Sequence, residues 1–122
     1  NLGLELRLRL LRCYVFPILL YGCEGWTLNS TLEKKIDAFE MNSYRRILGV
    51  SWIEHRKNID ILCEMDKEME VLAIVKTRKL EYLGHALRGK RYWLLRLMIE
   101  GKVPGRRSVG RRQNSWLKDL RR

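Results

Sequence analysis

A chain of 122 residues has room for one domain around one modest core. Hydrophobic residues at 46% exclude a wholly disordered chain, and charged residues at 32% require helices with solvated faces. The net charge of +11 is concentrated at one end: residues 1–85 hold 13 Lys/Arg against 12 Asp/Glu, whereas residues 86–122 hold 12 against 2.

A near-neutral body joined to an arginine-rich end points to a polyanionic partner, because guanidinium groups fork onto phosphates and each contact releases condensed counterions. The plainer alternative is a solvated basic tail that keeps the chain soluble. The longest apolar run, Cys13 to Cys23, is broken by Pro17 and is about half the length a membrane-spanning helix needs, so it reads as a core helix and no membrane partner is expected. The chain opens on Asn1 rather than Met, as a fragment or processed chain would, and Leu2 to Arg12 lacks the apolar centre of a signal peptide. Cys13, Cys23 and Cys63 are an odd number without close spacing, which favours a reducing nuclear or cytoplasmic setting over a disulfide framework.

In chain order the pattern is helical throughout. Leu4, Leu8, Leu11, Val15 and Ile18 fall at helical spacing, with Pro17 expected to kink or break that helix and Gly22 and Gly25 to end it. Ser30 followed by Glu33 reads as a capping box opening a second helix. Its stripe is Leu32, Ile36, Phe39 and Ile47, with Glu33, Lys34, Asp37 and Glu40 facing water and Gly49 as the stop. Asn58 is expected to cap a short helix over Ile59 to Glu64. A long helix from about Lys67 to Arg88 should bury Met69, Leu72, Ala73, Leu80, Leu83 and Leu87 and end at Gly89. Tyr92 to Glu100 reads as another short helix stopped by Gly101. The Gly- and Arg-rich stretch Gly101 to Gly110 is a linker, and Asn114 or Ser115 can cap a last turn carrying Trp116, Leu117 and Leu120. The expected fold is all-α: a small helical bundle over 1–100, then a basic linker and short helix over 101–122.

Several stretches together resemble one family. Tyr21-Gly22-Cys23-Glu24-Gly25-Trp26 is similar to the motif that opens the thumb in reverse transcriptases of non-LTR retrotransposons. Phe39-Glu40 with Tyr44-Arg45-Arg46-Ile47-Leu48-Gly49 and Ser51-Trp52 resembles the next block of those proteins. Arg78-Lys79-Leu80-Glu81-Tyr82-Leu83-Gly84-His85 with Arg88 resembles the third. Gly101-Lys102, Gly110-Arg111-Arg112 and Ser115-Trp116-Leu117-Lys118-Asp119-Leu120 resemble the C-terminal ending of LINE-type elements that carry an apurinic-type endonuclease. The likeness is collinear over nearly the whole chain, and no single motif is decisive. It implies a thumb and C-terminal region of an RNA-directed DNA polymerase that copies RNA from a nicked DNA 3′ end. The implied partners are a template–primer hybrid, target DNA and a palm domain.

The family's palm holds catalytic Mg²⁺ on adjacent aspartates. Asp37, Asp60, Asp66 and Asp119 are scattered here, and two-metal phosphoryl transfer needs clustered carboxylates. No catalytic residue, cofactor or metal is therefore expected in this chain itself, and Mg²⁺ belongs to the palm of the parent enzyme. His55 and His85 with the three cysteines lack the paired spacing of a zinc site.

The strongest candidates for nucleic-acid contact are Arg106, Arg107, Arg111 and Arg112, set between Gly105 and Gly110, with Lys118 extending them. Arg45 and Arg46, beside Tyr44 and Trp52, are placed by the resemblance near the shallow minor groove of a hybrid duplex. Solvated arginines over a packed Tyr44 and Trp52 is the alternative there. Lys76, Arg78 and Lys79 read as a solvated helix face, and Trp116 is the best candidate for stacking on a base. An exposed apolar patch is expected around Leu19, Leu20 and Trp26. Two other functions stay open at this point: a stand-alone, element-derived binding module, and a helical protein-interaction domain with a nuclear-import tail.

Overall fold

The computed structural model describes residues 2–106, 109, 110 and 116–121, and the described residues are all-α. The first helix runs as α1 (Leu4–Leu10), a π-helical turn over Leu11–Val15, and α2 (Phe16–Leu19). Proline at 17 can donate no hydrogen bond to the preceding turn, and the wider π turn just before it absorbs the misfit without breaking the helix. That turn shifts the buried face by one residue. Leu8 and Leu11 are buried as expected, but the stripe continues on Phe16 and Leu20, leaving Val15 and Ile18 exposed. The expected patch around Leu19, Leu20 and Trp26 is corrected for the same reason. Leu20 is in the core and Leu19 and Trp26 pack against it. The exposed apolar residues of this helix are instead Leu4, Leu6, Leu10, Tyr14, Val15 and Ile18, with Tyr21 just beyond its end.

Helix α3 spans Ser30–Leu48, and its cap is Asn29, not Ser30: the Asn29 Oδ1 accepts from the Leu32 amide at 2.8 Å. The neighbouring residue supplies the same chemistry, so the shift is one position. Asn29→Ala should lower unfolding free energy by about 1 kcal/mol in urea titrations. At the other end Gly49 adopts a left-handed conformation (φ 71°), and the Val50 and Gly49 amides close back onto Arg45 and Arg46 carbonyls at 3.0 and 3.3 Å. Arg7 Nη1 donates to the Ile47 carbonyl at 2.9 Å and satisfies another orphan acceptor of that helix end. A capping box does occur, at Ser51 and Glu54, where it opens a single turn over Trp52–Glu54.

Helix α4 (Asn58–Met65) begins at Asn58 itself, whose Oδ1 accepts from Arg45 and not from its own helix. Helix α5 (Val71–Arg88) starts four residues later than its apolar pattern suggests, because its first amides are claimed from outside. The Glu40 carboxylate on α3 accepts from the Glu70 and Val71 amides at 2.8 and 3.1 Å. Glu40 is 0% exposed, against the expectation that it faces water, and it also accepts from the Tyr44 hydroxyl at 2.7 Å. Burial, first, and this carboxylate, second, push the Tyr44 phenol well above its ordinary pKa.

The buried line on α5 is Val71, Val75, Lys79 and Ala86, not the leucine stripe expected; Ala73, Leu80 and Leu87 are exposed. The helix is turned so that Lys79 points inward, where it has partners, and the leucines lie across its flank. Helix α6 (Trp93–Glu100) ends at Gly101 (φ 69°), closed by the Lys102 amide on the Leu97 carbonyl at 2.9 Å. A last tight turn covers Trp116–Arg121.

The core gathers α1, α2, α3, α4 and α5 around Phe16, Ile36, Tyr44, Ile61, Val71 and Val75. Arg12 ties the first helix to the start of α5 through a two-pronged pair with Glu70 at 2.9 and 2.8 Å. No helix among the described residues is long and apolar enough to cross a membrane.

Candidate nucleic-acid interface

The last turn, far from the core in sequence, closes onto it. Lys79 on α5 is 0% exposed, and its ammonium donates to the Asp119 carboxylate at 2.9 Å and to the Trp26 carbonyl. The same Asp119 Oδ2 accepts from the buried Leu28 amide at 2.6 Å. Trp116 lies with its ring 4.7 Å from the Lys79 nitrogen, and its Nε1 donates to the Glu24 carbonyl at 2.6 Å. The Lys79 ammonium thus meets a carboxylate, a carbonyl and an indole face, and every buried side-chain polar atom among the described residues has a partner. Lys79 is therefore not part of a solvated face, which corrects the reading of residues 76–79. Lys76 and Arg78 are half-buried: Lys76 pairs with Glu33 at 3.4 Å, and Arg78 reaches the Leu20 carbonyl at 3.4 Å.

Trp116 is likewise not a free stacking platform. It is half-buried, with Tyr82 edge-on at 6.3 Å between centroids and 66° between planes. Lys118, two residues on, is exposed. Arg106 is exposed, and Arg107, Arg111 and Arg112 lie outside the described residues.

Described residues on either side of the Gly/Arg-rich stretch are buried. Ile99 is buried on one side and Asp119 on the other. Residues 101–115 carry five basic residues and no acidic one.

The second candidate cluster divides. Arg45 Nη2 donates to the Arg56 carbonyl and to Asn58 Oδ1, both at 2.8 Å, and its guanidinium stands 5.5 Å from the Trp52 ring centre. It braces the connection between α3 and α4. Arg46 is exposed beside it, and Trp52 is 80% exposed while Tyr44 is in the core. Arg46 and Trp52 are thus the members of this cluster presented to solvent. Glu40 and Lys79 were missed as positioning residues because their partners lie 30 to 53 residues away in sequence. A charged residue standing in an apolar helical register, as Lys79 does between Val75 and Ala86, was the available signal.

Among the described residues no three His, Cys, Asp or Glu side chains converge as a metal site would require. No family model matches the chain, and no solved structure matches it. The chain is similar to an uncharacterized transposon-derived protein of Caenorhabditis elegans, with 30% identity over 125 aligned residues. That alignment takes in 97% of this chain and 44% of the relative, so the chain spans less than half of the relative's length.

Proposed function

We propose that this chain comes from a transposable element and is the nucleic-acid-gripping C-terminal part of a non-LTR retrotransposon reverse transcriptase. In this reading it holds template–primer while a separate palm performs the Mg²⁺-dependent chemistry. The observation that carries the reading is the charge asymmetry, with 12 basic against 2 acidic residues from 86 onward. The collinear resemblance and the transposon-derived relative support the element origin.

Arg106, Arg107, Arg111 and Arg112 fork onto phosphates, with Lys118 beside them, and Arg46 contributes from the end of α3. Arg45 acts by holding that helix end in place. Such contacts position the chain on the backbone and carry little sequence preference.

The test is salt-dependent binding of the purified chain to an RNA–DNA hybrid, followed by fluorescence anisotropy. With four to six phosphate contacts, log Kd should change with log salt concentration with a slope of about 4 to 5. Changing Arg106, Arg107, Arg111 and Arg112 together to Gln should reduce that slope by about 3 while leaving the circular dichroism spectrum unchanged. A chain that ignores hybrid, duplex and single strands alike at low salt would overturn the reading.

A further inference from the structure

The corner between α5 and α6 carries charge of one sign. From 82 to 99 the chain has Arg88, Lys90, Arg91 and Arg96, with His85, and no Asp or Glu. Arg96 is taken up by Glu100 at 3.0 Å, and Lys102 holds the other oxygen of that carboxylate at 2.8 Å. Arg88, Lys90 and Arg91 are exposed and pair with no carboxylate among the described residues. The nearest acid before them is Glu81, about two helical turns from Arg88. Asp119, on the last turn packed against α5 and α6, is spent on Lys79 and the Leu28 amide.

One glycine sets the turn that presents these cations. Gly89 lies so close to the Tyr92 ring that a Cβ there would stand 2.8 Å from it, and the Tyr92 amide donates to the Gly89 carbonyl at 3.2 Å. The same ring is tilted over His85, with 5.5 Å between centroids. While Tyr92 folds back onto the turn, the next residues open α6 toward solvent. Trp93 is 64% exposed, and Leu94 and Leu87, on the first turn of α6 and the last of α5, are exposed as well. Among the described residues no other ring and no cation stands against the Trp93 indole.

An open indole face among cations is complementary to a strand that carries phosphates and a base with a free face. Within a continuous duplex both faces of each base are covered by its neighbours, so the fit is to an unpaired one. We infer that this corner is a separate nucleic-acid contact, in which Trp93 stacks on one unpaired base while Arg88, Lys90 and Arg91 hold the adjoining phosphates. The inference rests on the nucleic-acid reading above and adds to it a site and a substrate form. Every base has a π face, so such a contact tolerates any sequence. An anionic membrane surface offers the same charges, but its hold scales with buried apolar area, and the apolar ground here is one tryptophan and two leucines.

The experiment compares two fluorescent single strands of equal length, one of thymidine and one of abasic sugar-phosphate units, on the intact chain. The thymidine strand should bind about fivefold more tightly or better. Trp93→Ala should erase that preference and leave abasic binding unchanged, whereas Trp93→Tyr, which keeps a ring, should retain most of it. Changing Arg88, Lys90 and Arg91 together to Gln should weaken both strands and lower the salt slope by about 1 to 2, with the base preference intact. Circular dichroism reports that the fold persists in each variant.

Equal wild-type binding of both strands would overturn the stacking, as would a preference that survives Trp93→Ala. A salt slope unchanged by the triple Gln variant would overturn the corner and leave the grip of the Gly/Arg-rich segment standing. Retention on phosphatidylserine vesicles that excess thymidine strand cannot displace, and that Trp93→Ala abolishes, would overturn it in favour of a membrane surface. Failure to bind either strand at low salt would overturn the nucleic-acid reading itself.

Discussion

Replacing Asp119 by alanine should lower the unfolding free energy by about 3–5 kcal/mol, the usual cost of stranding one member of a buried ion pair. The Lys79 ammonium would keep only the Trp26 carbonyl and the Trp116 face, and the buried Leu28 amide would lose its acceptor. Urea titrations followed by circular dichroism measure the loss. Limited proteolysis measures its second consequence: with the last turn released from Lys79, the chain should be cut faster within Trp116–Arg121.

The double variant Lys79→Met, Asp119→Leu removes both charges together and should recover most of the loss, because well-packed apolar groups often replace a buried pair at no net cost. A double variant as unstable as Asp119→Ala would mean that the Leu28 amide and not the ion pair dominates. In either case the C-terminal turn contributes to the fold as well as bordering the basic segment.

Sequence order explains which parts of this architecture were legible beforehand. The glycine stops at 49 and 101, the helical class, and the positions of α3 and α6 to within a residue follow from local rules, in which a few neighbouring residues satisfy one another. The buried face of the first helix was legible only as far as Leu11, since a π turn has no apolar signature of its own. The orientation of α5 was hidden for a different reason. None of its four leucines is among its buried residues, and the position that decides its rotation is a lysine whose ammonium partners sit 53 residues upstream and 40 downstream. The basic end was plain from composition, whereas its attachment through Asp119 and Trp116 was not. A carboxylate beside many arginines reads as an ordinary surface residue until the Leu28 amide and Lys79 are seen to meet it.

Glu40 leads to the second large expected effect. Glu40→Ala should destabilise the chain by about 3 kcal/mol or more, because it strands the Tyr44 hydroxyl and the Glu70 and Val71 amides in one step. Glu40→Gln separates geometry from charge. The amide oxygen could still accept from Tyr44 and Glu70, but the amide nitrogen would then oppose the Val71 N–H, donor against donor. Gln should therefore retain only part of the stability. Tyr44→Phe loses a single hydrogen bond while keeping the ring, and should cost about 1 kcal/mol.

The three substitutions should consequently rank Ala, then Gln, then Phe in severity. Hydrogen exchange at the first amides of α5 should accelerate in the same order for the two Glu40 variants and hardly at all for Tyr44→Phe. If Tyr44→Phe proved as damaging as Glu40→Ala, the phenol and not the carboxylate would be the anchor. The start of α5 would then owe its position to packing of the Tyr44 ring within the core and not to a borrowed cap.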